Sequence, residues 1–277
     1  MSGTLYIVGT PIGNLEDITL RAARILAEVD IVAAEDTRRT LQLLNHLGCP
    51  KRLISYREHN RKQALPGLLA LLREGKNIAL CTDAGMPCIS DPGWELVDAC
   101  RNAGIPVAPV PGPTAVATAA AASGMDSRRF YFEGFLPRQG KERKRRVARI
   151  AGLADMVLLY EAPHRLAKTL ADLAEAMPER PACLCKDLTK KFEAFFRDSL
   201  SALAEVWGDG REVLGEYVLV LGPWQPEAAA APSPEERLEA LRAAGYDKKT
   251  AVATLAAEGF SKKDAYKLAE TLWRQED

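Results

Sequence analysis

Three polar loops hold the residue types of a binding site, and each follows a short apolar run: residues 9–13, 82–93 and 109–114. The second loop, TDAGMPCISDPG, is the longest, and a polar loop of this length after a buried strand is uncommon without a function. Its small residues leave backbone N–H and C=O groups open to a flat ligand. Asp83 and Asp91 can accept hydrogen bonds or complement a cation. The pattern predicts a ligand site.

Several familiar phosphate and metal sites are excluded by spacing. The first loop places Pro11 and Asn14 where a dinucleotide fingerprint needs its second and third glycines. The chain has no GK[ST] sequence for a phosphate loop. Its six cysteines form no C-x-x-C pair and, with three histidines, give no zinc-ligand spacing. We therefore expect no metal and six reduced, buried thiols.

The first loops are positioned by an alternation of strands and helices. Apolar residues recur at helical spacing between the first two strands, so this crossover is a helix and the strands are parallel. Parallel sheets bind ligands at the carboxyl ends of their strands. The predicted strands of this first domain, residues 1–124, are residues 5–8, 31–34, 53–56, 78–81 and 107–110.

A second α/β domain is predicted for residues 125–222, with a mixed sheet. The short gap between residues 188 and 192 suits a hairpin rather than a helical crossover. The predicted strands are residues 130–135, 156–161, 182–188, 192–196 and 216–222.

A linker rich in proline and alanine, residues 223–236, precedes a small helical tail, residues 237–277. A turn at Gly259 and a helix capped by Ser261 resemble a helix-turn-helix in outline. The tail could contact nucleic acid, or it could be a helical hairpin that packs on the body or on a partner.

The charge balance leaves nucleic-acid binding to local patches, since 37 basic and 37 acidic side chains cancel. The densest basic run lies between Arg138 and Arg149, with seven positive charges and one acid. Such a run is either a solvated helix face or a phosphate-binding surface. The amino terminus lacks a signal-like segment, and the most apolar stretch, residues 115–122, is too short to cross a bilayer. We expect a cytoplasmic protein without membrane contact.

Six motifs in order, VGTPIGN, AAEDTR, TDAGMPCISDPG, PGPTA, YEAPHR and KDLTK, resemble the ribosomal RNA small subunit methyltransferase I branch of the tetrapyrrole-methylase superfamily. The resemblance spans residues 4–222, and the tail is similar to the helical extension of that branch. Two departures stand out. Gly9 replaces an expected proline, and Thr82 and Met86 replace the serine and threonine of SDAGTP.

The resemblance implies two α/β domains with S-adenosylmethionine in the cleft between them, in a homodimer. The implied reaction is methylation of the ribose 2′-hydroxyl of a cytidine in the decoding region of 16S ribosomal RNA, as free RNA or in the assembled small subunit. The cofactor residues implied are Pro11, Ile12, Asp83, Ala84, Gly85, Met86, Pro87, Pro113, Thr114, Phe135, Tyr160 and Leu219.

The catalytic residues rest on a hypothesis drawn from strand ends that face this cleft. Lys186 and Glu161 are the candidates to accept the hydroxyl proton, and Asp36 is the candidate to orient substrate; each could instead be a structural ion pair or helix cap. The predicted RNA-binding residues are Arg38, Arg39, Arg138, Lys141, Arg143, Lys144, Arg145, Arg146, Arg165 and Lys190. The alternatives to this function are a methyltransferase of corrin or porphyrin precursors and a non-catalytic ribosome-binding protein.

Overall fold

The computed structural model describes residues 2–208, 213–225 and 233–273. The chain divides into two compact units, Met1–Trp224 and Gln225–Asp277. Residues 226–232 of the predicted linker lie outside the described residues, and its last residues, 234–236, form the start of a helix instead. The boundary predicted at residues 124 and 125 falls within the first unit and stays a prediction.

The first sheet is entirely parallel, as the helical crossovers predicted, with strand order β3-β2-β4-β1-β5. The third strand begins and ends one residue earlier than predicted. The strands are β1 (Leu5–Val8), β2 (Ile31–Ala34), β3 (Arg52–Ser55), β4 (Ile78–Cys81) and β5 (Val107–Val110).

Helices cover both faces of this sheet, because its central strands β1, β2 and β4 are apolar on both sides. Leu5 and Ile7 of β1 pack in one core cluster, and Val8 packs in the other. Thr19 and Thr114 cap two of the helices through their hydroxyl oxygens. The helices are α1 (Leu20–Glu28), α2 (Thr37–His46), α3 (Arg61–Arg73), α4 (Trp94–Asn102) and α5 (Ala115–Ala122).

The second sheet is mixed, as predicted, with strand order β6-β7-β10-β8-β9. Only the β6–β7 pair among its described pairings is parallel. Its strands are β6 (Phe130–Phe135), β7 (Met156–Glu161), β8 (Pro181–Lys186), β9 (Ala194–Ser199) and β10 (Tyr217–Leu221). Its helices are α6 (Gly140–Ala151), α7 (Leu166–Ala176) and α8 (Leu200–Trp207).

The predicted hairpin joins β8 and β9, but its strands are shifted from the predicted bounds. Asp187 and Thr189 have φ values of 50° and 64°, which end β8 at Lys186 because a strand cannot continue through left-handed residues. The turn therefore occupies residues 187–193 and contains the KDLTK motif except Lys186, which ends β8.

The two sheets are joined by one apolar cluster. Val218 and Val220 of β10 pack with Ala119 and Ala120 of α5 and with Ile12 of the first loop. Leu219, between them in sequence, points to the opposite face, where α6, α7 and α8 cover the sheet. The first loop is thus anchored against the second sheet.

The second unit is a set of three helices, α9 (Pro234–Ala243), α10 (Lys248–Ala257) and α11 (Lys262–Trp273), around a small apolar core. Gly259 in the turn between α10 and α11 has φ 99°. The Asp264 N–H donates to the Ser261 hydroxyl at 3.5 Å, at the predicted cap. These helices confirm the predicted helical extension.

Two sequence expectations concern features of the whole chain. None of the helices in the described ranges is long and apolar enough to cross a membrane. All six cysteines are free, but Cys49 and Cys88 are half-buried and not buried as expected.

Candidate functional site at the carboxyl ends of the strands

The first two polar loops are hydrogen-bonded to each other. The Thr10 N–H donates to the Gly85 carbonyl at 2.9 Å, and the Gly85 N–H donates to the Thr10 carbonyl at 3.0 Å. The buried Thr10 hydroxyl donates to the Thr82 carbonyl at 3.1 Å. The loops after β1 and β4 therefore form one rigid unit at the carboxyl edge of the parallel sheet.

Gly9 and Met86, which both depart from the family motifs, lie close together. A Cβ on Gly9 would be 2.7 Å from Sδ of Met86 and 2.8 Å from Cα of Gly112. The Gly9 N–H also donates to the Val110 carbonyl at 3.0 Å, a bond that proline cannot make. Glycine at position 9 is thus required by the close approach of the third loop and by the methionine at position 86.

The loop after β4 has a backbone shape that few side chains favour. Cys88 and Ser90, both non-glycine residues, have φ values of 72° and 63°. Strained residues of this kind persist where surrounding structure holds them, and they concentrate at functional sites. A Cβ on Gly134 of β6 would lie 2.9 Å from the Ser90 hydroxyl oxygen, so the loop fits closely against the second sheet.

A cavity of about 370 Å³, here called the central cavity, opens between the two sheets, within the usual size range of small-molecule sites. It is lined by both halves of the first unit. The lining residues are Ile12, Ala84, Gly85, Met86, Ile89, Ser90, Asp91, Thr114, Ala115, Phe135, Tyr160, Glu161, Ala162, Pro163, Leu188, Glu216, Tyr217 and Val218.

A second cavity of about 290 Å³, here called the side cavity, lies beside the same loops in the first half. It is lined by Thr10, Pro11, Leu15, Arg39, Thr40, Gln42, Leu43, Thr82 and Asp83. Arg39 Nη1 is 3.6 Å from Asp83 Oδ2, and 61% of the Arg39 side chain is exposed. The side cavity therefore contains an exposed cation.

Most of the predicted cofactor residues come together around these cavities. Ile12, Ala84, Gly85, Met86, Thr114, Phe135 and Tyr160 line the central cavity. Pro11 and Asp83 line the side cavity. Pro87 and Pro113 line neither cavity.

Leu219 requires a correction, because its side chain is fully buried on the opposite face of the second sheet. The neighbouring Val218 lines the central cavity instead. The period of two along a strand carries this information, but the sequence does not say which face meets the first half.

The carboxylates near the central cavity differ in their surroundings. Burial, and then the charge of Glu35, raise the pKa of Asp91 to about 7, and the Thr82 hydroxyl opposes the shift. Burial also raises the pKa of Glu35. Hydrogen bonds from Arg38 hold the pKa of Asp36 well below its usual range. The sequence predicted Asp91 as a hydrogen-bond acceptor or a partner of a cation but not as a buried acid, because its burial depends on the folded loop.

Glu161, a predicted catalytic residue, lines the central cavity but is 3% exposed. Its Oε1 lies 3.2 Å from Arg165 Nε and accepts from the Ala162 N–H at 2.9 Å. Its Oε2 accepts from the Thr169 hydroxyl at 2.5 Å. These donors hold both carboxylate oxygens at the start of α7.

The other two predicted catalytic residues lie outside the central cavity. Asp36 caps α2 and pairs with Arg38 at 2.8 Å. Lys186 is the last residue of β8, next to the turn, and lines neither cavity. The structure therefore does not bring Lys186, Glu161 and Asp36 together around one reacting group.

The basic run on α6 divides into buried and exposed side chains. Arg143 is 4% exposed, with Nε 2.5 Å from Asp172 Oδ2 and its other nitrogens donating to the Pro137 carbonyl and the Thr169 hydroxyl. We therefore remove Arg143 from the predicted RNA-binding surface. Its charge stabilises the contact between α6 and α7.

Several other predicted RNA-binding residues have carboxylate partners. Arg165 pairs with Glu161, Arg38 with Asp36, and Lys190 with Asp187 and Glu216. Arg145 pairs with Glu142, and Arg146 pairs with Glu142 and Glu133. Within the described ranges, no carboxylate lies within 4.0 Å of the exposed charges of Arg138, Lys141 and Lys144.

Comparison with known proteins gives a consistent result. The profile of tetrapyrrole (corrin/porphyrin) methylases matches residues 4–204. A protein of Halalkalibacterium halodurans named ribosomal RNA small subunit methyltransferase I is 42% identical over 273 residues, covering 96% of this chain and 94% of its own. The protein of the same name from Escherichia coli O157:H7 is 44% identical, with coverage of 96% and 94%.

Solved structures share the architecture of the first unit. Uroporphyrin-III C-methyltransferase of Thermus thermophilus has a TM-score of 0.56 at 26% identity, covering 79% of this chain and 94% of its own. A structure of such an enzyme complexed with S-adenosylhomocysteine has a TM-score of 0.58 at 21% identity, with coverage of 79% and 97%, a likeness of fold alone. The chain belongs to the tetrapyrrole methylase family and, within it, to the ribosomal RNA small subunit methyltransferase I group, as its motifs predicted.

Proposed function

We propose that this protein transfers a methyl group from S-adenosylmethionine to the ribose 2′-hydroxyl of a cytidine in the decoding region of 16S ribosomal RNA. The observation that carries this proposal is the central cavity, which gathers residues of five of the six family motifs, from both halves of the first unit, around one space. Relatives that cover nearly all of this chain are named as methyltransferases of small-subunit ribosomal RNA, which supports the substrate class.

The residues around the central cavity fit the chemistry of S-adenosylmethionine. Ile12, Met86 and Ile89 offer apolar surface to the adenosine, with Phe135 and Tyr160 opposite in an edge-on pair whose ring centres are 5.6 Å apart. When bound, the sulfonium group supplies an electrophilic methyl without a metal.

The protein's own contribution to this reaction is placement. The hydrogen-bonded loops after β1 and β4 fix one wall of the central cavity, and the close approach of Ser90 to Gly134 fixes it against the other. Holding the hydroxyl oxygen, the methyl carbon and the sulfur in line can lower the activation free energy by about 7–11 kcal/mol in favourable systems. Apolar walls also exclude water from the reacting groups.

RNA binding is proposed to use exposed charges without carboxylate partners. Arg138, Lys141 and Lys144 supply these near the start of α6. Arg39 adds an exposed charge in the side cavity, although it lies 3.6 Å from Asp83. The side cavity is a candidate subsite for a nucleotide phosphate next to the target ribose, since it shares the loops that line the central cavity.

The helical unit offers a further basic face. Lys248 Nζ lies 5.0 Å from the ring centre of Tyr266, which is exposed and one helical turn from Lys262 and Lys263. Lysines around an exposed aromatic ring suit the phosphates and bases of RNA. This face favours nucleic-acid contact over simple packing as the role of the tail.

A homodimer in the cytoplasm is part of the proposal. The edge strand β9 exposes Phe195 and Phe196, and 71% of Phe192 is exposed in the turn before it. Exposed apolar side chains at an unpaired sheet edge are suited to cover by a second copy of the chain. Comparing the sedimentation of the wild-type protein with that of a Phe192→Ser variant tests this. We expect the variant to be monomeric.

The test of the activity is incubation with methyl-labelled S-adenosylmethionine and small ribosomal subunits that lack the modification. Label on the 2′-oxygen of one decoding-region cytidine is the expected result. Naked RNA under the same conditions distinguishes free RNA from the assembled subunit as substrate.

Two experimental outcomes would indicate a different function. Labelling of a corrin or porphyrin precursor, with RNA and subunits inert, would indicate a tetrapyrrole methyltransferase. Subunit binding without cofactor binding in calorimetry would indicate a non-catalytic ribosome-binding protein.

A further inference from the structure

Three carboxylates line the central cavity, and two of them are already engaged. Glu161 is ion-paired with Arg165, at 3.2 Å, and Glu216 with Lys190, at 3.0 Å. Asp91 is the third. Among residues 2–208, 213–225 and 233–273, no nitrogen of lysine, arginine or histidine lies within 4.0 Å of its carboxylate.

The groups around Asp91 are mainly acidic or neutral. Glu35 and Asp83, from the ends of β2 and β4, both raise its pKa. Burial raises the pKa of Cys88 in the same loop and of Tyr160 across the cavity in β7, and the charge of Asp91 adds to both shifts. The remaining charged groups nearby are Glu95 at the start of α4, paired with Arg61, and the engaged Glu161 and Glu216.

The backbone holds Asp91 firmly in this position. It follows the left-handed Ser90, whose hydroxyl oxygen touches the second sheet at Gly134, and it precedes the buried Pro92 and Gly93 at the start of α4. A Cβ on Gly93 would lie 2.8 Å from Sγ of Cys88, so the loop folds tightly back on itself. A side chain fixed in this way meets the geometric demand on a proton acceptor.

We propose that the Asp91 carboxylate accepts the proton of the 2′-hydroxyl during methyl transfer. This inference rests on the proposed function. A general base is most effective when it ionises near the working pH and is not held by a permanent cation. Asp91 meets both conditions, whereas Glu161 is held by Arg165 and its neighbours, and Lys186 and Asp36 do not line the cavity.

The proposed step balances without a further reactant. The ribose oxygen forms a bond to the methyl carbon as the carbon–sulfur bond breaks, and that electron pair stays on sulfur, which becomes neutral. The hydroxyl proton passes to a carboxylate oxygen of Asp91. Water then carries the proton to solvent and returns Asp91 to its ionised form.

The experiment compares the wild-type protein with Asp91→Asn and Asp91→Glu in single-turnover methylation of unmodified small subunits, across a range of pH. We expect Asp91→Asn to slow methyl transfer by about 10²- to 10⁴-fold, and Asp91→Glu to retain part of the rate. The wild-type rate should rise as Asp91 ionises, and this rise should be absent in Asp91→Asn. Asp98→Asn, at an exposed carboxylate of α4, is the matched control and should keep the wild-type rate.

A second measurement, independent of activity, is the affinity for S-adenosylhomocysteine by calorimetry. If Asp91 acts on the hydroxyl, Asp91→Asn should bind S-adenosylhomocysteine like the wild type. Loss of that affinity by the same factor as the rate would overturn the proposal and make Asp91 a cofactor ligand. Full activity of a folded Asp91→Asn variant would overturn it as well.

The proposed function and the proposed role of Asp91 would be contradicted by different results. A wild-type protein that leaves the 2′-hydroxyl unmethylated would remove the proposed function and this role together. A wild-type protein that methylates, with an Asp91→Asn variant of equal rate and unchanged pH profile, would remove only the role of Asp91.

Discussion

Replacing Asp91 by asparagine should stabilise the folded protein, and the gain should depend on pH. The native pKa of Asp91 is raised from 3.8 to about 7, mainly by burial. Between these values the folded state binds more protons at this position than the unfolded state does. The free energy of unfolding therefore falls as pH rises through this window and levels off above it. Asparagine has no charge to bury, so the variant should not show this loss.

The magnitude follows from the size of the shift. About three pKa units correspond to about 4 kcal/mol at full strength, and partial exposure to solvent reduces this to about 1–3 kcal/mol. The difference in unfolding free energy between Asp91→Asn and wild type should be near zero at about pH 4 and reach that range at about pH 8. A stabilised variant with little activity would be typical of a charge kept for function.

The assay is urea unfolding of both proteins at several pH values. Equal slopes against urea would show that the variant leaves the exposed surface of unfolding unchanged. Asp98→Asn is again the control and should show no such pH dependence. A difference that is constant from acid to alkaline pH, or a variant that is less stable above neutral pH, would refute the account of the Asp91 environment.

Three further predictions concern other parts of the molecule. Arg180 is fully buried and donates to three backbone carbonyls at 2.8–3.0 Å, so Arg180→Met should cost about 3–5 kcal/mol of unfolding free energy in urea titrations. Gly9→Ala should lower S-adenosylhomocysteine affinity in calorimetry, and Met86→Thr, which removes the sulfur 2.7 Å from the added methyl, should recover part of the loss; simple additivity would contradict this steric account. Lys262→Glu with Lys263→Glu should reduce the salt dependence of RNA binding in fluorescence anisotropy, by about 0.7 in log–log slope for each phosphate that is no longer neutralised, and leave S-adenosylhomocysteine binding unchanged. An unaltered slope would exclude the helical unit from RNA binding.

The sequence alone determined the elements and their order. Apolar runs such as residues 31–34 and 78–81 are buried on both faces, and this local pattern predicted parallel strands joined by helices. The short gap between Leu188 and Phe192 predicted the hairpin of the second sheet. Motif order identified the family, because each motif lies in one continuous loop and needs no knowledge of its distant neighbours.

The sequence could not assign individual side chains within those elements. Arg143 and Lys144 are adjacent on α6, yet only Arg143 is buried, because Asp172 of α7 meets that face of the helix. Val218 and Leu219 are equally apolar, and the docking of α5 and the first loop decides which of them lines the central cavity. Both outcomes depend on contacts between residues far apart in the chain.

The ionisation of a carboxyl group is the property that depends most clearly on the tertiary structure. Glu161 and Asp91 are both acids beside a polar loop in the sequence. Folding gives Glu161 an arginine, a threonine and a backbone N–H, while it buries Asp91 near Glu35 and Asp83 without a basic partner within 4.0 Å in the described residues. The sequence sets which acids are present. The surrounding fold sets their desolvation and their charged neighbours, and these determine which of them can exchange a proton near neutral pH.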